Sequence, residues 1–272
     1  MRHVPIVAGV ALLVAWSLAP FLWSANTSLK TSKEVRAIPP TIIPREPTVA
    51  NYGEVFARQP FARYMMNSAI VGLGSTALAL AAGALAAYAI ARLRVRGGRF
   101  VEKALLAFSL VPSAVLIVPL FAGAQRLGLT NSHLALIVVH AAFNLPFAVW
   151  MLTSFFREFP SDLEDAARVD GFSRLQILTR LVVPLSAPAL GATAILLFIF
   201  SWNEFVIALT FLRGDAATVP VGIARLTGAS AYEIPWGQIS AAVVLTTLPV
   251  VAAVLAFQRW IVSGLTAGAV KG

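Results

Sequence analysis

Six stretches of about twenty predominantly apolar residues, joined by short polar connections, leave this chain few ways to fold. They run near Pro5–Ala25, Asn67–Ala91, Ala104–Ala124, Leu134–Phe156, Ala187–Leu212 and Ile239–Trp260. Hydrocarbon offers no water to satisfy backbone N–H and C=O groups, so a segment that crosses it must pair them internally, as a helix does. Of the 272 residues, 58% are hydrophobic and 12% are charged, where a soluble domain carries about 25% charged residues. The expectation is an all-α integral membrane protein with six spanning helices in one domain, residues 1–272. The first stretch exceeds the roughly 7–15 apolar residues of a secretory signal. Trp23 also spoils a small-residue cleavage site ending at Ala25, so the segment reads as a retained helix.

The chain has no cysteine, which removes disulfides, thiolate metal sites and cysteine nucleophiles together. Its net charge of +9 sits in short loops beside apolar segments, where topology and anionic lipid explain it better than nucleic acid does. Arg92, Arg94, Arg96, Arg99 and Lys103 crowd one connection. By the positive-inside rule that connection is cytoplasmic. Both termini and the 157–186 insert then lie inside as well, and the 26–64 and 213–238 segments outside. Ala79, Gly83 and Ala87 follow the small-x-x-x-small spacing of closely packed helices. Pro112, Pro119, Pro146 and Pro249 are expected to interrupt the third, fourth and sixth spans.

Polar, helix-forming residues between the fourth and fifth spans form the second informative feature. Ser161-Asp162-Leu163-Glu164 follows Pro160 and reads as a capping box. A short helix then runs to Gly171, a residue suited to a helix C-terminus. Ser173-Arg174-Leu175-Gln176 is a second box, opening a helix expected to stop before Pro184. Ala166 and Ala167 give a smooth face beside Leu163. Arginines alternate with Asp162, Asp165 and Asp170 along the edges. A lipid-lying helix wants large apolar residues and a one-sided basic face; a helix built to enter a protein cleft fits this pattern better.

Asp165-Ala166-Ala167, Asp170-Gly171 and Pro184 resemble the "EAA" loop of permease subunits in binding-protein-dependent ABC importers. Asp165 stands where glutamate is usual, and Phe172 where alanine is common. Trp202-Asn203-Glu204-Phe205 and the tail Gly264–Gly272 look like the carbohydrate-uptake branch, the tail resembling that of the G-type permease of maltose and trehalose transporters. The resemblance implies a type I importer transmembrane domain with a cytoplasmic coupling helix. It implies that Ser161, Leu163, Glu164, Asp165, Ala166, Ala167, Asp170, Gly171 and Pro184 serve contact with an ATPase, and that Thr266, Gly268 and Lys271 in the tail touch the same partner. It also implies that Gly228, Ser230 and Tyr232 belong to a loop facing an external sugar-binding protein. The expected partners are a sibling permease, two ATPase subunits or domains, that binding protein and membrane lipid, in a prokaryotic inner membrane.

Within the spans, Glu204 is the carboxylate that apolar surroundings penalise most. With Trp202, Asn203 and Asn144 it is a candidate for the substrate path, the alternative being a structural hydrogen bond. His140 lies one turn before Asn144 and reads as a satisfied bundle residue. The histidines His3, His133 and His140 are dispersed, so no metal site is expected. No GxxxxGK[ST] phosphate loop, paired carboxylates or Ser/His/Asp set occurs. The chain is therefore expected to be a non-catalytic subunit that binds no cofactor, with ATP and Mg on the ATPase. The expected substrate is trehalose, maltose or a related oligosaccharide. The alternatives are glycerol phosphate or another polar solute, and an ion-coupled carrier.

Overall fold

The structure is a computed structural model describing residues 4–93, 95–227 and 234–267, with side chains from residue 6 to residue 258. Those residues form helices and loops, with no strand among them. In chain order the helices are α1 (Val4–Ser28), α2 (Ser32–Val35), α3 (Ala50–Arg58), α4 (Phe61–Ala91), α5 (Gly98–Ser109), α6 (Ser113–Arg126) and α7 (His133–Glu158). They continue as α8 (Ser161–Val169), α9 (Arg174–Ile177), α10 (Val183–Leu185), α11 (Ala187–Asn203), α12 (Val206–Phe211), α13 (Val219–Thr227) and α14 (Trp236–Ala267). Helices α1, α4, α7 and α14 are each long and apolar enough to cross a membrane. Two bent pairs bring the number to as many as six: α5 with α6 at 97°, and Arg174–Leu185 with α11 at 81°.

The bends correct the expected boundaries. The third window is two helices rather than one, because Pro112 has no N–H to give and disfavours helical backbone at Val111. Leu110 closes α5 onto the Ala107 and Phe108 carbonyls, and α6 restarts at Ser113. Of the four prolines expected to interrupt spans, Pro112 alone ends a helix; Pro119, Pro146 and Pro249 lie inside α6, α7 and α14. The fifth window breaks at Glu204–Phe205, where Glu204 takes extended backbone angles. Nor does the helix after the second capping box stop short of Pro184. The chain passes through Leu178–Val182 as a π turn, with the Val183 amide on the Leu178 carbonyl, and then through α10 with Pro184 in it.

Two compact units divide the chain. In the one made of Met1–Met65 and Val219–Val251, the turn-rich 26–64 segment is tied down by side chains. Asn51 Nδ2 donates to the Ser28 and Lys30 carbonyls, both at 2.8 Å. Tyr52 and Ser28 hydroxyls meet at 2.8 Å. The Glu34 carboxylate accepts the Thr41 hydroxyl at 2.7 Å and the Arg45 amide at 2.9 Å. These bonds, the Thr41 one foremost, hold the Glu34 carboxyl below its usual range. Tyr64 lies so near Gly222 that an added Cβ would come within 2.4 Å of its ring.

In the unit made of Met66–Thr218 and Ala252–Gly272, α7 packs against α5, α6, α11 and α12. Ala79, Ala141, Ala148 and Leu197 join α4, α7 and α11 in one buried cluster. The small-residue stripe of α4 is what lets α7 approach: a Cβ on Gly83 would meet the Ala148 Cβ at 2.8 Å. Gly83→Leu should therefore overpack the α4–α7 contact and cost about 1–3 kcal/mol, read as a lowered thermal midpoint in detergent. Gly123→Ala on α6, where an added Cβ meets nothing within 4 Å, should leave that midpoint unchanged or raise it.

Candidate functional site

The insert begins where Arg157 ends the buried run of α7. Pro160, with φ −59° and ψ 125°, turns the chain into α8. The expected first capping box is absent: no side chain caps α8, and the Ser161 hydroxyl faces Asp162 at 3.4 Å instead. Glu164 is spent elsewhere. It is 2% exposed, and its Oε1 accepts Arg92 Nε at 2.7 Å. Arg92 Nη1 also donates to the Phe159 carbonyl at 2.9 Å, with the Phe156 carbonyl at 3.4 Å. The guanidinium thus joins the end of α4, the end of α7 and the middle of α8. Each buried charge meets opposite charge or a carbonyl, the condition for tolerating charge away from water.

Ala167 faces inward with Glu164. It packs into a cluster with Ala84, Ala87 and Tyr88 of α4, Leu152 and Phe156 of α7, and Ile177, Leu178 and Val182 beyond α8. Sequence reasoning had put both residues on the face offered to a partner; the structure puts them on the face toward the bundle. The outward face carries Leu163, Ala166, Val169 and Asp170, at i, i+3 and i+6 or i+7. Val169 is 88% exposed and Leu163 44%. Beyond Gly171, Phe172 and Leu175 are exposed as well. Asp165 is exposed and pairs with Arg168 at 2.9 Å.

Gly171 meets its expectation. It has φ +81°, the left-handed conformation that favours glycine. The Phe172 amide reaches the Ala167 carbonyl at 2.9 Å and the Gly171 amide the Arg168 carbonyl at 3.0 Å, the paired bonds of a Schellman motif. The second capping box forms as expected: Gln176 N donates to Ser173 Oγ, and Ser173 N to Gln176 Oε1 at 2.8 Å. Pro184 lies within α10, beyond the π turn.

A second polar cluster repairs the break between α11 and α12. Glu204 Oε1 accepts the Ile207 amide at 2.8 Å and Oε2 the Ala208 amide at 3.0 Å, so the carboxylate caps α12. His140 on α7 stands with Nε2 3.2 Å from Glu204 Oε2 and Nδ1 2.7 Å from Ser201 Oγ. Ser75 Oγ on α4 donates to Ser201 Oγ at 2.8 Å. With a neutral ring the chain closes in one direction: Ser75 donates to Ser201, Ser201 to Nδ1, and Nε2–H to the carboxylate.

The candidate path residues each have a partner of their own. Trp202 is buried against Phe198, with ring centroids 5.4 Å apart. Asn144 is buried beside the Leu197 carbonyl at 3.5 Å. Asn203 is exposed and turns its amide back to the Ile199 carbonyl at 2.9 Å. His140 is the satisfied bundle residue expected. Arg92, Ser75, Ser201, Val169 and Leu175 were missed. Arg92 carried a signal, since it ends an apolar span opposite a glutamate with no aqueous role, but the surrounding arginines masked it. Gly228, Ser230, Tyr232, Gly268 and Lys271 lie outside the described residues, as does the side chain of Thr266.

A helical membrane bundle carrying a polar insert, clamped on one side and open on the other, is the build of a transport-complex subunit. The chain belongs to the family of binding-protein-dependent transport system inner membrane components, whose profile matches residues 60–267. It is 43% identical to the trehalose transport system permease protein SugB of Mycobacterium tuberculosis, over 96% of this chain and 95% of the relative. It is 43% identical to the sulfoquinovosyl glycerol transport system permease protein SmoH of Agrobacterium fabrum, over 96% and 92%. It is 38% identical to the trehalose/maltose transport system permease protein MalG of Thermococcus litoralis, over 100% and 98%. Its fold matches a chain of a bacterial ABC transporter that imports alginate, with a TM-score of 0.78 at 24% identity over 95% and 96% of the two chains. The chain is thus an ABC importer permease with the type I fold.

The geometry separates two neighbouring carboxylates. Glu164→Ala leaves a buried guanidinium without its counter-charge and should cost about 3–5 kcal/mol. Asp165→Ala removes an exposed pair and should cost less than about 1 kcal/mol. Thermal unfolding in detergent measures both.

Proposed function

We propose that this chain is one of two permease subunits in an ATP-driven sugar importer, that it takes up trehalose or maltose, and that it passes ATPase movement into the membrane through α8. The observation that carries the reading is the division of the insert. Its inner face is fastened to the bundle through Glu164 and Ala167, while Leu163, Ala166, Val169 and Gly171 remain on the outer face. An element held from one side, with Leu163, Ala166 and Val169 exposed among charged residues on the other, suits a partner cleft.

In this reading two ATPase subunits bind ATP and Mg, close, and move the docked α8. The sibling permease completes the pathway, and an external binding protein delivers the sugar. This chain hydrolyses nothing itself. The insert and both termini face the cytoplasm of a prokaryotic cell, in line with the arginine cluster after α4. Thr266, Gly268 and Lys271 serve the ATPase contact, and Gly228, Ser230 and Tyr232 face the binding protein. Glu204 acts on the pathway mechanically: it caps the break between α11 and α12, and the sibling holds most of the sugar contacts. Trehalose and maltose are favoured by two relatives named for them. A relative of equal identity named for sulfoquinovosyl glycerol supports a glycosylated glycerol as the second reading.

The assembled complex in proteoliposomes should take up radiolabelled trehalose or maltose only with ATP and the loaded binding protein. Uptake driven by an ion gradient without nucleotide would overturn the importer reading. Competition by glycosyl glycerol and not by disaccharide would move the substrate to the second reading. Gly171→Trp should lower both uptake and copurification of the ATPase while the protein stays in the membrane; wild-type values for both would refute docking at α8.

A further inference from the structure

Helix α8 is joined to its neighbours through a non-helical residue on either side. Before it, Pro160 has extended angles; after it, Gly171 has φ +81°. A nine-residue helix joined through such points could rock in place when pushed. Its apolar anchor, Ala167, is small and would resist sliding little. What fixes α8 is the Arg92 fork. One planar guanidinium directs Nε at Glu164 and Nη1 at the carbonyls of Phe159 and Phe156, and such a fork sets orientation as well as distance. The two side chains are 12% and 3% exposed, so water competes little for either charge. Arg92 follows directly on α4, its own amide bonded to the Tyr88 carbonyl at 2.9 Å. The guanidinium is therefore continuous with a helix that crosses the bundle.

Arg157 and Glu102 make a second pair nearby, at 2.6 Å and 3.3 Å, joining α7 to α5. That Arg157 side chain is 44% exposed, and both members of the pair lie outside α8. Arg168 approaches Glu164 at 3.7 Å from α8 itself, so it cannot link the helix to anything else. Arg92 is the residue that carries the link.

We infer that Arg92 is a positioning residue for energy coupling: its pair with Glu164 is a strut that makes α8 and the inner end of α4 move as one body. A displacement imposed on α8 then enters the bundle through α4 instead of being lost in movement of α8 against it. The inference rests on the importer reading above. It differs from a topological role for Arg92, which needs only a positive charge and would be met by lysine. It also differs from plain stabilisation, which would not alter the ratio of sugar moved to ATP consumed.

The test uses the assembled transporter in proteoliposomes with Arg92→Lys and Glu164→Gln, both close to the native shapes. Both variants should assemble with the ATPase and retain ATP hydrolysis stimulated by the loaded binding protein, while sugar imported per ATP falls about tenfold. The cysteine-free chain also permits a direct readout. In a Leu85→Cys, Val169→Cys parent that retains uptake, the spin-label distance between α4 and α8 should be the same in the nucleotide-free and ATP-bound states, and should change between them once Glu164→Gln is added. ATP-driven uptake at the wild-type ratio in both variants, or a parent distance that changes with ATP, overturns the strut alone. Wild-type uptake that needs no ATP overturns the importer reading and this inference with it.

Discussion

Backbone groups in hydrocarbon must find partners within the protein, and the arrangement of this chain follows from that requirement. Helices meet it without help. A break does not, and the break at Glu204–Phe205 is closed by a carboxylate that takes the place of the missing carbonyls. That repair brings a charge into an apolar bundle, so it needs repair of its own: His140 faces the carboxylate, Ser201 satisfies the ring, and Ser75 satisfies Ser201. The polar line joining α4, α7 and α11 exists because one helix must bend.

The same logic governs the insert. A polar helix between two apolar spans would drift along the membrane surface unless something held it. Ala84 and Ala87 on α4 are small enough to admit Ala167, and the Arg92–Glu164 pair holds the helix at the depth this contact sets. The inner face of α8 is thereby closed to other partners, and its outer face is left with Leu163, Ala166 and Val169. Attachment and exposure are two sides of one nine-residue helix. The insert can thus belong mechanically to the bundle while presenting a surface beyond it.

Much of this was legible in the residues. Apolar length located the spans, small residues at four-residue spacing located the α4–α7 contact, and Gly171 and Ser173 marked the ends of the insert helices. Local rules sufficed there because each feature is built from neighbours in sequence. What escaped depends on residues far apart. Ser161 and Glu164 have capping-box spacing, but the glutamate gains more from Arg92, seventy-two positions away, than from the Ser161 amide. Proline is an ambiguous sign for the same reason: Pro146 and Pro249 stay inside helices, and Pro112 ends one. Trp202 and Asn144 have the chemistry of a sugar site, yet tertiary packing buries both, one against Phe198 and the other beside the Leu197 carbonyl.

The central claim, that the outer face of α8 is a protein-docking surface fastened to a membrane bundle, is most directly tested by photo-crosslinking. A photoreactive amino acid at Leu163 or at Val169, in the complex assembled in lipid, should form adducts with the ATPase, and should do so both without nucleotide and with ATP bound. Adducts with phospholipid alone in every nucleotide state would contradict the account.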